Sequence, residues 1–474
     1  MASSSKSRHR IVNDNIHGDI ALSDNEWRVV NTATFQRLRS LKQLGMGHLV
    51  YPNATHTRFA HSLGVLHIMC RVLQNLEHHS LNDEQKAELR LAALLHDIGH
   101  YPYSHLMERV GYVKLTEEEI SKDSQNTISG QGDEYPDHEE LGLHILESQA
   151  DIRDALGGVE RARKIGALFS RLESTNQQLS KLIHSSLDMD RLDYLLRDAR
   201  AAGVPYGEID LNYLLNNTRI SPSGKLGVDS KALAAAEHFL LARVFMHRVV
   251  YYHKTTYAFE EVCRQLLRRV RGRERYNEFA KNGSEIRTLC EGSKLRDFTD
   301  DYVDRIIVKA ANDNNEPIIK ILATCLIQRR PPRLLVEISG VEAKPSNSNM
   351  VPLGASFRQR CRDGLEALAK KYNLLPGQFL LCGPKPIKFE ERGSLLTRSD
   401  VEKLKPEEKE ELIMIFQRGE EEPRSIVEIE SSIIRSLSNH VFTIQRLYLI
   451  ENDLSEENLT KISDEVQNWA KPPR

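Results

Sequence analysis

Apolar positions recur at helical spacing through the first two-thirds of the chain. SLGVLHIMCRVLQNL, at 62–76, sets Leu63, Leu66, Met69, Cys70, Leu73 and Leu76 on one stripe by the i, i+3, i+4 rule. AELRLAALLHD, at 87–97, repeats the pattern with Leu91, Leu94 and Leu95. DRLDYLLRDARAAG, at 190–203, predicts a helix that stops at Gly203, with Pro205 just beyond. KALAAAEHFLLARVFMHRVVYYHK, at 231–254, reads as one long helix of good helix formers.

Beyond about residue 330 the period changes. LLVEISGVE (334–342), QFLLCG (378–383) and VFTIQRLYLIE (441–451) have the apolar, partly β-branched character of strands. VEKLKPEEKEELIMIFQRGEEE, at 401–422, contains a charged helix. RRPPR (329–333) and AKPSNSNMVPLG (343–354) mark the shift, and the Gly-punctuated KDSQNTISGQGDEYPD (122–137) predicts a flexible loop. The expected fold is mainly α: a helical body over 1–330 and a smaller mixed α/β C-terminal lobe over 331–474.

Composition narrows the function classes. The chain has 474 residues, 28% of them charged, and Lys+Arg 65 against Asp+Glu 67 leaves a net charge of −2. This balance argues against nucleic-acid packaging, so any basic site must be local. The six cysteines are scattered without a CxxC pair, which argues against a thiolate zinc site and a disulfide framework. MASSSKSRHR lacks a signal-like apolar core, and no apolar run approaches the ~20 residues that cross a bilayer. A cytoplasmic protein without membrane partners is expected.

The chemistry concentrates in LLHDIGHYPYSH, at 94–105, where three histidines and an aspartate follow an apolar helix. His96 and Asp97 sit at the helix end and can share an ion placed there, but a stable first-row metal site needs more ligands. His61 and Asp190, each at the start of another helix, are the candidates. Taken singly, each has an ordinary explanation. His96 reads as a core histidine, Asp97 as a helix-closing polar residue, and Asp188, Asp190 and Asp193 as cap or surface carboxylates.

RFAHSLGV, LLHDIGHYPYSH, DHEELG and DMDRLDYLLRD resemble successive motifs of the HD-domain phosphohydrolase superfamily. More narrowly they resemble its deoxynucleoside triphosphate (dNTP) triphosphohydrolase branch, whose opening segment is similar to residues 11–45. The resemblance runs from about residue 10 to 220 and resumes at 242–254, giving a motif-bearing core of about 10–260. It implies an HD-domain helical body in which His61, His96, Asp97 and Asp190 bind one divalent metal. Such His/carboxylate ligation suits Mn, Fe, Co, Ni or Zn, with Mg entering alongside substrate phosphates.

The resemblance further implies that His105 is the acid that protonates the leaving oxygen. Glu108, at a position commonly Asp in the family, and His138 support it, and His100 lies close to the reacting phosphate. Arg58, Arg191 (often Lys in the family) and Arg243 match phosphate-binding positions, and Gln43 a sugar-reading one. Tyr194 and Asp198 follow Asp190 at i+4 and i+8 on one helix face, matching contacts to a deoxyribose. Arg243, His247 and Tyr251 form a second stripe of the same spacing.

Members of the branch are often homotetramers with nucleotide activator sites between subunits, so a homo-oligomer, dimer or tetramer, is expected. Arg10, Asn31, Gln36 and Arg39 match the activator segment. Asn31 replaces a guanine-reading aspartate, and an amide cannot accept two guanine N–H bonds, so another nucleotide or no activator is expected. RQLLRRVRGRER, at 264–275, is either a solvated helix face or a site for single-stranded nucleic acid. The expected activity is metal-dependent hydrolysis of a dNTP to deoxynucleoside and tripolyphosphate. The alternatives are an HD-type nuclease or other nucleotide phosphohydrolase, and a nucleotide- or nucleic-acid-regulated binding protein.

Overall fold

The computed structural model describes residues 10–76, 81–111, 134–170, 183, 187–343, 354–389, 412–450 and 454–470. Residues 122–133, 344–353 and 401–411, within the segments read as a flexible loop, a composition change and a charged helix, lie outside that set. The remainder is mainly helical with small sheets, as the apolar periodicity predicts.

The apolar stripe at 62–76 belongs to the Arg58–Asn75 helix. The stripe at 87–97 belongs to the Asp83–Leu95 helix, opened by a capping box between Asn82 and Gln85. The Met189–Ala202 helix starts at its N-cap Asp188 and ends at Gly203, whose φ of 69° closes the last turn. These helices pack together around one large apolar core, so the ends bearing His61, His96 and Asp190 meet.

One expectation fails. The 231–254 segment is not a single helix: Leu233–Met246 is α-helical, and His247–Tyr251 forms a π turn closed by Tyr252 N–H donating to the His247 carbonyl at 2.8 Å. A new helix, Lys254–Val270, follows, its start capped by the His253 side chain. The propensity of the residues is helical throughout, but the wide turn is a tertiary choice that propensity cannot report.

Strands β1 (Arg10–Asp14) and β2 (Gly18–Leu22) form an N-terminal antiparallel hairpin. Strands β3 (Thr218–Ile220) and β4 (Leu226–Asp229) pair with each other, and β4 runs parallel to β8 (Met414–Phe416), which pairs with β9 (Arg424–Ser425). The strands expected at 334–342, 378–383 and 441–451 are β5 (Arg333–Ala343), β6 (Phe379–Cys382) and β10 (His440–Leu449). They form an antiparallel sheet in the order β5-β10-β6, with β7 (Ile387–Lys388) also on β10. The Ala355–Lys371 and Glu456–Ala470 helices cover it through a second, smaller apolar cluster. No described helix is long and apolar enough to cross a membrane.

Candidate metal centre and active site

Four side chains from three helices and a turn converge. His61 Nε2 lies 2.8 Å from Asp190 Oδ1 and 3.7 Å from Asp97 Oδ2, and His96 Nε2 lies 3.4 Å from Asp97 Oδ1 and 3.6 Å from Asp190 Oδ1. Neighbouring ligands on an ion with bonds of about 2.1 Å stand about 3 Å apart, so His61, His96 and Asp190 could hold one cation, while Asp97 reaches the two imidazoles through different oxygens. Two further observations support the fit. Among the described residues, buried His96 Nε2 has no hydrogen-bond partner. Burial disfavours a charge on His61, yet Asp190 and Asp193 raise its pKa to about 10, so the group draws a positive charge to the place where an ion would sit.

The tautomers are set for ligation. His61 Nδ1 donates to Asp193 Oδ2 at 2.7 Å, and His96 Nδ1 donates to the Ala93 carbonyl at 2.9 Å. Each imidazole therefore turns its Nε2 inward, the arrangement by which outer partners orient metal ligands. Asp193 corrects the sequence reading of it as a cap or surface carboxylate: it is 0% exposed. It also accepts from His17 Nε2 at 2.6 Å and from Arg197 Nε at 2.8 Å, while Arg197 Nη1 donates to Asp14 at the end of β1. Burial opposes its charge, but Arg197, His17 and His61 hold the carboxyl well below the usual range. Gly64 makes this packing possible, because a Cβ there would fall 1.8 Å from Asp193 Oδ1.

The second half of the LLHDIGHYPYSH stretch forms an adjoining group. His100 Nε2 stands 3.1 Å from Asp97 Oδ1, and its ring stacks on that of His138 with centroids 4.1 Å apart. Gly99 permits this, since a Cβ there would lie 2.1 Å from the His138 carbonyl oxygen. Glu108 joins the other two imidazoles: His105 Nδ1 donates to Oε2 at 2.6 Å and His138 Nδ1 to Oε1 at 3.0 Å. Burial opposes the charge on Glu108, but the two histidines depress its pKa well below the ordinary carboxylate value. Partial enclosure pushes His105 below the usual imidazole value against the pull of Glu108; with its side chain 52% exposed, that effect is modest. His100, His105 and His138 are also close enough for an ion. The stacked rings of His100 and His138 argue against it, because imidazole lone pairs lie in the ring plane and nearly parallel planes cannot both contain one ion.

Arg37 braces this turn from behind, donating to the Ile98, His100 and Phe298 carbonyls. Burial lowers its pKa to about 10.

Around the centre, Asp198 receives Tyr251 Oη–H at 2.8 Å and faces His56 Nε2 at 2.8 Å. Tyr194 meets Tyr251 edge-on, and His247 packs against the same ring at 4.9 Å. Gln43 donates its backbone N–H to the His56 carbonyl, and its buried Oε1 has no hydrogen-bond partner among the described residues. Arg58 Nη1 donates to Asp97 Oδ2 at 2.6 Å. Arg191 N–H is capped by Asp188 at 2.8 Å. Arg243 Nη2 donates to the Lys388 carbonyl at 2.9 Å, and Tyr251, past the π turn, reaches Asp198.

The activator-segment residues fall into two pairs. Arg10 and Asn31 line a cavity of about 970 Å³ with Trp27 and Arg296. Gln36 and Arg39 bond to each other at 2.7 Å, and Arg39 lies over Phe59. Neither of the latter pair lines that cavity.

Asp193, His17, Asp14, Arg197, His56 and Arg37 are absent from the sequence-derived site. For Asp193 a signal existed: Asp190, Asp193 and Arg197 at i, i+3 and i+7 put two acids and their counter-ion on one helix face. For the others only the fold makes the connection.

The HD domain profile matches residues 58–197 and the HD-associated region profile residues 209–306. An uncharacterized protein of Methanocaldococcus jannaschii is 34% identical over 250 residues, 52% of this chain and 46% of that protein. A Dictyostelium discoideum protein named as a deoxynucleoside triphosphate triphosphohydrolase homolog is 28% identical over 268 residues, 53% of this chain and 47% of its own length. The chain thus spans about half the length of these relatives. A crystal structure of a Bacteroides thetaiotaomicron phosphohydrolase has the same fold, with a TM-score of 0.67 at 23% identity over 93% of this chain and 99% of that one. The HD domain profile takes in His61, His96, Asp97 and Asp190, the associated region follows directly in sequence, and the chain belongs to the HD-domain phosphohydrolase superfamily.

Proposed function

We propose that this phosphohydrolase cleaves a dNTP to deoxynucleoside and tripolyphosphate. The observation that carries the reading is the junction of the two groups: Asp97, among the metal-ligand candidates, stands 3.1 Å from His100, which stacks on His138. A phosphate held at the first group meets an imidazole, His105, whose Nδ1 is fixed by Glu108 and whose Nε2 is left for the substrate.

A divalent ion of the Mn, Fe, Co, Ni or Zn class, or Mg entering with the phosphates, supplies Lewis-acid activation of water and charge neutralisation when bound by His61, His96, Asp97 and Asp190. Water adds to the α-phosphorus, the bond to the 5′-oxygen breaks, and His105 delivers a proton to that oxygen. The water gives its proton to solvent, from which the imidazole is reprotonated. Glu108 and His138 keep His105 oriented, and neutral His100 lies beside the phosphate. Burial and the nearby Arg58 and His138 hold His100 well below its usual pKa.

Arg58, Arg191 and Arg243 are the proposed cations of the phosphate channel. Tyr194, Tyr251, Asp198 and Gln43 form the sugar site, with His247 packed behind Tyr251. A tyrosine face there resists a 2′-hydroxyl and the Asp198 carboxylate accepts from a 3′-hydroxyl. The named activity of the Dictyostelium relative favours this substrate class. We assign residues 331–474 to assembly of a dimer or tetramer, and the protein to the cytoplasm. The basic stretch 264–275 lends little to a nucleic-acid reading. Arg264 pairs with Glu261, Arg273 with Glu316 and Arg275 with Asp313, while Arg271 donates to the Lys281 carbonyl.

A panel of dNTPs, NTPs and oligonucleotides across Mg, Mn and Co, with products identified, tests the proposal. Tripolyphosphate from dNTPs, lost in Asp97→Ala, is expected; activity only on NTPs or oligonucleotides would overturn it.

A further inference from the structure

The turn that delivers His105 does not hold itself. Tyr103 and Ser104 both have positive φ, 53° and 58°, a conformation disfavoured for residues with a Cβ and persisting only where surroundings impose it. Ser104 precedes the one-turn His105–Glu108 helix without capping it by its side chain. Its hydroxyl instead accepts from Arg58 Nε at 2.9 Å.

The restraint comes from nearly 200 residues away. Asp300, first residue of the Asp300–Ala311 helix, accepts the Tyr103 backbone N–H at Oδ1, 2.8 Å away. Its Oδ2 accepts from Lys42 N–H at 3.0 Å and from Lys42 Nζ at 3.3 Å. One turn further, Asp304 Oδ1 receives Tyr103 Oη–H at 2.7 Å. A carboxylate at a helix start is favourable even in water, but Asp300 is only 2% exposed and is spent on a strained turn from another part of the chain.

We propose that Asp300, seconded by Asp304, is the positioning residue for His105. It holds Tyr103 and Ser104 in their positive-φ conformation, so that the short helix after them sets the His105 ring against Glu108 and toward the substrate. Without that acceptor the turn relaxes toward negative φ and the one-turn helix swings with it. The inference rests on the reading of His105 as the acid. It also gives the HD-associated region a task, since Asp300 and Asp304 lie within residues 209–306.

The test uses the full chain with Asp300→Ala, Asp300→Asn and Tyr103→Phe, followed by steady-state kinetics, bound-metal analysis and hydrogen exchange read by mass spectrometry. In Asp300→Ala, kcat should fall about 100-fold, the scale of a lost general acid, with KM and bound metal unchanged. Exchange should accelerate in the segment 101–108 and stay unchanged in the Arg58–Asn75 helix. Asp300→Asn, which keeps one acceptor oxygen for the Tyr103 N–H, should fold and retain most of the rate, and Tyr103→Phe should lose less than Asp300→Ala. Unchanged exchange in 101–108, an unchanged kcat, or a loss of metal and protection throughout the protein would overturn the proposal. If the wild-type protein turns over no phosphate ester, the activity reading fails, while the exchange measurement still decides the positioning role.

Discussion

His61 Nδ1 lies 2.7 Å from Asp193 Oδ2, although the two residues are 132 positions apart. That contact fixes the tautomer of one metal-ligand candidate and ties it, through Arg197 and His17, to the N-terminal hairpin. Asp193→Asn should therefore weaken divalent-metal binding about 10–100-fold, the usual effect of losing an outer partner of a ligating histidine. Titration calorimetry with Mn or Co checks this, and unchanged affinity would remove Asp193 from the site.

Metal removal should destabilise the fold. An ion that binds only the folded state contributes about 2.7 kcal/mol at a hundredfold excess over its Kd. Thermal unfolding after chelation should shift downward and recover on metal addition. In His96→Ala the recovery should be largely absent.

Glu108 links catalysis to acid stability. Its folded pKa is depressed, so its ionisation contributes stability that is present above the unfolded value of about 4.3 and lost as pH falls toward the folded value. The stability gap between wild type and Glu108→Gln should shrink below about pH 4. The same variant should lose about 100-fold in kcat through a misoriented His105. Denaturant melts across pH and steady-state kinetics read the two effects separately.

Tyr251 holds Asp198 by one hydrogen bond of 2.8 Å. Removing it in Tyr251→Phe should raise KM for a dNTP by about tenfold or less, the worth of one such bond, with kcat little changed. A large fall in kcat at constant KM would place Tyr251 in the chemical step instead.

Periodicity and motif order made the helical body, the C-terminal strands and the four converging metal-ligand candidates legible in advance. Their helices are amphipathic, and each candidate sits at or near a helix end. What stayed hidden depends on distant partners. Asp193 looks like any polar residue of a charged helix until Gly64 brings it against His61. Asp300 and Arg37 read as ordinary charges, yet they spend their hydrogen bonds on the turn around His100 and Tyr103. The π turn at His247–Tyr251 is invisible because its residues favour a regular helix. The arginines of 264–275 look like a basic face, while Arg264, Arg271, Arg273 and Arg275 are engaged by acids and carbonyls of the same molecule.

Hydrolysis in ¹⁸O-labelled water tests the central claim most directly, by locating the bond that breaks. Attack at the α-phosphorus predicts one labelled oxygen in tripolyphosphate, on the phosphate that had carried the sugar, and none in the deoxynucleoside. Label in orthophosphate or pyrophosphate, or in the 5′-hydroxyl of the nucleoside, would contradict it.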